Sequence, residues 1–388
     1  MVEKVKYIDS IAKHLNATPD DLFLYWKGRV ALYALLKAMG VSKGDEVILP
    51  AYSCVVVPNA ILYLGAKPVY VDVDLETYNA NIHKIKDSIT DKTKVIICQN
   101  SFGLSSNLEE IVELANLHHL YTIEDCTHGF GGVYQGKPNG SYCDAAFYST
   151  QWNKPFSTGI GGFALVKNDR LRDSLVEINK DLLKPPFKKV IMLKILYFVK
   201  KHLLKGSTYW SLVALYRFLS KHNLVVGSSS GEEISSVEMP KDYFMGISST
   251  QVKAGLINLS NFDKLLETRK KNATIFTEYL MSKSKNHVPK ILFENHSFLK
   301  YPLLVSDRER VMTEAEKQKI ELGDWFNSPI HPVQEGFHQW GLFPELFPNA
   351  FFAGQHMVNL PTDTQNPEKV CNFMDSILEL IMDEKPNV

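Results

Sequence analysis

Between residues 28 and 168, short runs of β-branched and apolar residues alternate with longer stretches whose apolar positions recur every three or four residues. The short runs predict strands at Glu46–Leu49, Pro68–Val73, Lys94–Cys98, Leu120–Ile123, Ala145–Tyr148 and Gly162–Val166. The longer ones predict helices at Arg29–Met39, Val56–Leu64 and Asn107–His118. The last opens on an Asn cap, with Glu109 and Glu110 where negative charge favours a helix start. This alternation belongs to a layered α/β domain, and strands apolar on both sides belong to a sheet covered on two faces. Ligands of such sheets sit at the carboxyl ends of the strands.

The pattern then changes. Leu182–Gly231 holds nine Lys or Arg and no Asp or Glu, interleaved with apolar runs such as VIMLKILYFV and YWSLVALYRFL, and reads as an inserted helical hairpin. GSSSGEE follows as a loop, and Ser248–Leu280 reads as one long helix. FLKYPLLV predicts a strand and Lys369–Met382 a closing helix, which together make a smaller C-terminal α/β domain. The expected division is residues 1–181 for the large domain, 182–231 for the basic and apolar insertion, and 232–388 for the long helix and small domain.

Composition narrows the function without naming it. At 388 residues the chain can bury a substantial core, and 45% hydrophobic with 22% charged residues is ordinary globular usage. Lys plus Arg and Asp plus Glu are both 43, so no global field favours nucleic acid. Cys54, Cys98, Cys126, Cys143 and Cys371 are odd in number with no C-x-x-C spacing, which speaks against a disulfide framework or a zinc site and fits a reducing cytoplasm. The first residues lack the apolar core of a signal peptide, and no apolar run reaches the roughly 18 residues of a membrane span. The first strand is followed by PAYSCVV rather than G-x-G-x-x-G, which argues against a nicotinamide-binding fold.

Two segments carry the chemistry. STQWNKPFSTGIGGFALV, Ser149 to Val166, joins two strand candidates through a loop that sets Lys154 among glycines, where a buried amine can form an imine. YTIEDCTHGFGG places Asp125 at the end of an apolar strand, followed by His128 and a glycine turn. Taken singly, Lys154 could be a solvated lysine and Asp125 a turn or helix cap.

Together with G-R-V-A-L, GDEVILPAYSC and GAKPVYVDVDLETYN, these segments follow the order and spacing IEDCTHGFGG, then S-x4-K-x6-GG, and the chain resembles the DegT/DnrJ/EryC1/StrS sugar aminotransferases. The resemblance implies a fold type I pyridoxal-phosphate transferase with a mostly parallel central sheet and a smaller C-terminal domain. It further implies that Lys154 holds pyridoxal phosphate as a Schiff base, that Asp125 pairs with the pyridine nitrogen, and that His128 lies near the phenolic oxygen. By the same likeness Ser149, Gly28 and Arg29 hold the phosphate, the latter two at a helix N-terminus whose N–H groups suit an anion. Asn100 and Tyr52 lie in segments that border the cofactor in relatives.

Three positions depart from the family. Cys54 stands near the place of a ring-stacking aromatic, for which Tyr52 is a substitute; Phe244 and Gly246 stand where an N-x-R-x4-Q stretch ending at Gln251 would reach the partner subunit; Ile160 replaces a Glu. The implied reaction moves an amino group from an amino acid, glutamate in many relatives, to a ketosugar, nucleotide-linked or lipid-linked, in a cytoplasmic homodimer. The alternatives are a catalytically silent regulator or scaffold, and a pyridoxamine-phosphate sugar dehydratase, against which retention of Lys154 speaks. The insertion needs its own explanation. Lys194, Lys201 and Lys205 fall on one helical face with Tyr197, beside Ile191, Ile195, Phe198 and Val199, as in helices that dock on an anionic membrane surface, here the inner face of the membrane, or on a lipid-linked acceptor. A hairpin covering the active site or extending the dimer contact is the other possibility.

Overall fold

The computed structural model describes residues 2–203, 212, 215 and 231–385. Helix α1 (Val2–Leu15) precedes β1 (Leu22–Tyr25), α2 (Gly28–Ala38), β2 (Glu46–Pro50), α3 (Val56–Leu62) and β3 (Lys67–Val71). Then come α4 (Ile82–Asp87), β4 (Thr93–Gln99), α5 (Leu108–Leu117), β5 (Tyr121–Asp125), β6 (Ala145–Ser149) and β7 (Gly162–Val166). The seven strands form one sheet in the order β1-β7-β6-β5-β4-β2-β3. Its pairings are parallel from β6 through β3 and antiparallel where β7 meets β6 and β1. This is the mostly parallel fold type I architecture that the resemblance implies.

Each of the six strands read from the sequence forms within a few residues of its predicted place, because each is an apolar run buried on both faces. Two differences matter to function. β6 runs on to Ser149, so this polar residue is the last of its strand rather than the first of the loop, while Asp125 ends β5 where the sequence puts it. β1, four residues long, and α1 carry patterns the sequence reading passed over. α1 buries Tyr7, Ile11, Ala12 and Leu15 on one face, at helical spacing, in a core shared with Val252, Leu259 and Phe262.

After β7 come α6 (Asp169–Ile178), α7 (Phe187–His202) and the short α8 (Gly231–Ser235). α7 is the first arm of the insertion; most of the run YWSLVALYRFL, with Lys205, lies outside the described residues. GSSSGEE was expected to be a loop, but its last three residues open α8. The single helix expected over Ser248–Leu280 is two, α9 (Ser249–Leu259) and α10 (Phe262–Ser282). At the break, Ser260 Oγ and Asn261 Nδ2 both donate to the Ile257 carbonyl, local side-chain bonds that compete with the helical ladder. Phe262 turns inward against Phe130 and Phe156.

The C-terminal part contains β8 (Tyr301–Leu304), α11 (Arg308–Lys317), α12 (Pro348–His356), β9 (Met357–Leu360) and α13 (Pro367–Ser376). β8 and β9 pair antiparallel over a core that includes Phe276, Leu280, Val311 and Phe373. The closing helix ends at Ser376, short of Met382, and a 3-10 turn replaces its last part. Residues 325–356 return to the large sheet: Tyr52 Oη donates to the Phe326 carbonyl at 2.9 Å, Trp340 Nε1 to Asn59 Oδ1 at 2.6 Å, and Ile330–His331 pairs with Ser53–Cys54.

The start of α2 touches the sheet backbone. A Cβ on Gly28 would lie 2.8 Å from the Tyr148 carbonyl oxygen, and one on Gly162 would lie 2.3 Å from Gly28 Cα. Neither neighbour is a flexible tip. Gly162→Ala is therefore expected to cost about 1–3 kcal/mol through forced backbone shifts, seen as a lower denaturant midpoint; an unchanged midpoint would show that α2 can move away.

Candidate active site

The carboxyl ends of β4, β5 and β6 and the N-terminus of α2 line an open cavity whose empty space, adjoining solvent included, is about 620 Å³. Gly28, Arg29, Asp125, His128, Ser149 and Lys154 all line it. Residues as far apart as 28 and 154 thus meet, because a parallel sheet brings every strand's carboxyl end to one edge.

Lys154 sits on a turn whose ends are tied together. Thr150 and Thr158 share a hydroxyl–hydroxyl hydrogen bond of 2.6 Å, Thr158 N–H donates to the Thr150 carbonyl, and Thr150 N–H donates to the Gly161 carbonyl. Gln251, buried in α9, donates from Nε2 to the carbonyls of both Trp26 and Ile160, joining the far end of the turn to the end of β1. The turn presents the Lys154 amine at 4.3 Å from the Trp325 ring centroid. Burial lowers its pKa from 10.5 to about 8; Cys54 and Asp125 pull the other way, and Arg29 adds to the lowering.

Asp125 responds with the opposite sign. Burial raises its pKa, while hydrogen bonds from Thr127 and the charge of Lys154 restrain the rise. One carboxylate oxygen accepts the Thr127 N–H at 2.9 Å, which fixes the side chain. His128 is buried and held well below the ordinary imidazole pKa by burial and by Lys154, Lys300 and His331, so its ring is neutral. Its Nδ1 accepts the Phe102 N–H at 3.2 Å, which places the proton on Nε2. That Nε2–H is a buried donor with no hydrogen-bond partner among the described residues. The ring is stacked at 4.8 Å on Trp325 and 5.6 Å on Phe326.

Lys27 is the N-cap of α2 and supplies no side-chain cap. Its Nζ lies 3.4 Å from Glu233 Oε2, and Arg29 Nη1 lies 2.6 Å from Glu233 Oε1. Burial lowers the Lys27 pKa to about 8, with Glu233 opposing and Arg29 adding to it. Burial also acts against the charge of Arg29, but Glu233, Cys54 and Tyr243 together more than offset it and the guanidinium stays charged. A helix N-terminus beside Ser149, with Lys27 and Arg29 at its start, makes this end of the cavity suited to an anion.

Two expected cofactor contacts lie elsewhere. Asn100 is fully buried, donates from Nδ2 to Glu124 Oε1 at 2.8 Å and accepts the Ser106 N–H at 3.2 Å; it does not line the cavity. Its neighbour Gln99 lines it instead, because successive residues at a strand end face opposite ways. Tyr52, expected as a stacking substitute, stands behind the cavity, its hydroxyl bonded to the Phe326 backbone and its ring at 5.3 Å, edge-on, from the Phe326 ring. Phe326, beside Trp325, lines the cavity together with Phe147 of β6, and nothing in the sequence links Phe326 to positions two hundred residues earlier.

These residues fit pyridoxal phosphate on the structure's own terms: an amine and a carboxylate in one cavity, an unpartnered buried N–H, and an anion-favouring helix start against which no Cβ could sit at position 28. Among the described residues no cluster of His, Cys, Asp and Glu could hold a metal ion.

The family model of the DegT/DnrJ/EryC1/StrS aminotransferase family matches residues 27–188 and 218–377. The chain is 28% identical over 361 residues to the GDP-perosamine synthase of Escherichia coli O157:H7, across 92% of this chain and 85% of that protein. It is 36% identical over 149 residues, 38% of this chain and 40% of the other, to a UDP-N-acetyl-3-dehydro-alpha-D-glucosamine 3-aminotransferase of Acidithiobacillus ferrooxidans. The crystallised aminotransferase from Psychrobacter cryohalolentis shares the fold, with a TM-score of 0.74 at 20% identity over 98% of this chain and 92% of that one.

Because burial lowers the Lys154 pKa to about 8, its amine in the cofactor-free protein should acylate with a midpoint near pH 8. Ordinary surface lysines titrate at about 10.4. Asp125→Asn removes a charge that holds the proton on, so the midpoint should move lower. Peptide mass spectrometry after pulsed labelling reads both; a midpoint near 10 would place the amine in solvent.

Proposed function

The chain belongs to the DegT/DnrJ/EryC1/StrS aminotransferase family of pyridoxal-phosphate enzymes, and from that premise we propose that it moves an amino group from an amino acid to a ketosugar. The donor proposed is glutamate and the acceptor a nucleotide-linked sugar. The observation that carries the reading is the meeting of Lys154, Asp125 and the unpartnered Nε2–H of His128 in one cavity. The acceptor class draws its support from relatives whose names specify GDP-linked and UDP-linked sugars.

When bound, pyridoxal phosphate supplies an aldehyde carbon that bonds to an amine and a ring that draws electrons from the bond being broken. The chain supplies the rest. Lys154 would hold the cofactor and would move a proton to and from the donor's α carbon, for which a pKa near 8 leaves a useful neutral fraction. Asp125 would keep a proton at the ring nitrogen. His128 would donate from Nε2 to the phenolic oxygen, and Ser149 with Gly28, Arg29 and Lys27 would hold the phosphate. Phe326 and Trp325, which stack on His128, keep its imidazole oriented. Donor and acceptor use the same groups in turn, so ping-pong kinetics follow.

Lys154→Ala should remove the visible absorbance of the bound cofactor and lower turnover by about 10²–10⁴-fold or more, with the far-ultraviolet circular dichroism unchanged. Asp125→Asn should still bind the cofactor yet lose turnover by a similar factor. Mass spectrometry of keto-acid formation from glutamate, then of amine transfer to 4-keto and 3-keto sugar nucleotides, is the readout; near-normal turnover in either variant would overturn its assigned role. A cofactor-loaded wild-type protein that deaminates no amino acid would instead favour a silent regulator. We also propose a homodimer, and sedimentation of the active protein should give twice the chain mass.

A further inference from the structure

Helix α7 has its apolar side on the outside. Phe187 is 75% exposed, Phe198 60%, Ile195 50% and Ile191 39%, and their spacing of four, four and three sets them on one face. Exposed Lys188 and Lys194 border that face on either side. The opposite face is anchored: Leu193 is fully buried, and Tyr197 meets the Trp152 ring at 5.0 Å. Tyr197, expected on the basic face, thus points to the protein body, and Lys200 lies 5.0 Å over the same Trp152 ring. Lys189 is tied to Asp242. An outward row of large apolar side chains between lysines, on a helix too short and too charged to cross a bilayer, is the arrangement of a helix that lies in a membrane interface.

We propose that the outer face of α7, Phe187, Ile191, Ile195 and Phe198 with Lys188 and Lys194, docks the protein on an anionic phospholipid surface. Charge selects this occupant. Lys188 and Lys194 flank the apolar row, and the insertion from 182 to 231 holds no acidic residue to offset them, so this face complements a negative surface. A second copy mated face to face would set Lys188 and Lys194 of each chain against the same residues of the other, which like charge opposes. The inner face of α7 adds a consequence. A Cβ on Gly159 would lie 2.7 Å from a Leu193 methyl, and Trp152 belongs to the same turn as Lys154, so the docked helix braces the loop that presents the amine. The docking surface stands apart from the proposed reaction and can be tested without it.

The test is co-sedimentation of the full chain, loaded with pyridoxal phosphate, with vesicles of phosphatidylglycerol and phosphatidylcholine or of phosphatidylcholine alone, across a salt series. The protein should pellet with anionic vesicles at low salt, be released as salt rises, and stay in the supernatant with neutral ones. Lys188→Glu with Lys194→Glu, and separately Phe187→Ser with Ile195→Ser and Phe198→Ser, should each lower anionic-vesicle binding at least tenfold. All five substituted positions are exposed, and retained cofactor absorbance would show that the variants fold. Recovery of the intact protein in the supernatant with anionic vesicles at low salt overturns the proposal. So does undiminished binding of the serine variant, or its conversion from dimer to monomer without vesicles, which would assign the face to the contact between copies.

Discussion

At Gly28 the first turn of α2 lies against the backbone of β6 and β7, closer than any side chain would permit, and the site is arranged around that approach. The approach sets the helix N-terminus next to Ser149, but it also carries Lys27 and Arg29 out of water. Buried cations need a partner, and removing the partner of such a pair typically costs about 3–5 kcal/mol. Glu233 meets that need from α8, beyond the insertion, and its backbone carbonyl accepts a hydrogen bond from Asn59 as well. The start of α2 and the exit of the insertion are thereby fixed by one carboxylate.

Around the cavity, burial works on acid and base in opposite directions. It drives the Lys154 amine toward its neutral form and the Asp125 carboxyl toward protonation, while each group's charge resists the shift in the other. His128 is taken further, to a neutral ring with a defined tautomer. The network therefore reaches the cavity with its proton positions largely set: a base able to be neutral, a carboxylate steadied by Thr127, and one N–H held in reserve. The Thr150–Thr158 staple and Gln251 keep the lysine's turn from relaxing into water, which would undo the shift.

Much of the large sheet could be read from the chain because its strands are continuous apolar runs and its chemistry is local in sequence. Asp125 and His128 lie three residues apart and Ser149 and Lys154 five, and each pair stands at one strand end. What escaped reading depends on pairs distant in the chain. Phe326 has no sequence tie to the lysine turn, and Glu233 sits in a segment that reads as loop. Asn100 and Gln99 show the limit of motif reasoning at a strand end, where one residue's difference in register exchanges a cavity wall for the core. The break at Ser260–Asn261 shows a local limit, since apolar periodicity continues through it and only side-chain bonding to Ile257 interrupts the helix.

The walls of the cavity are made at very different times. On a ribosome the strands that end in Asp125 and Ser149, and the turn that carries Lys154, emerge first, and domains generally fold as they appear, at about 5–20 residues per second. Glu233, Gln251 and Phe326 come later, the last 172 residues after Lys154. Until they arrive, the lysine's turn lacks its brace and the two cations at the start of α2 lack their carboxylate. A nascent or prematurely ended chain would thus hold its reactive amine in open water, in the charged state that reacts least with stray aldehydes, and acquire the activated amine only when its last wall closes.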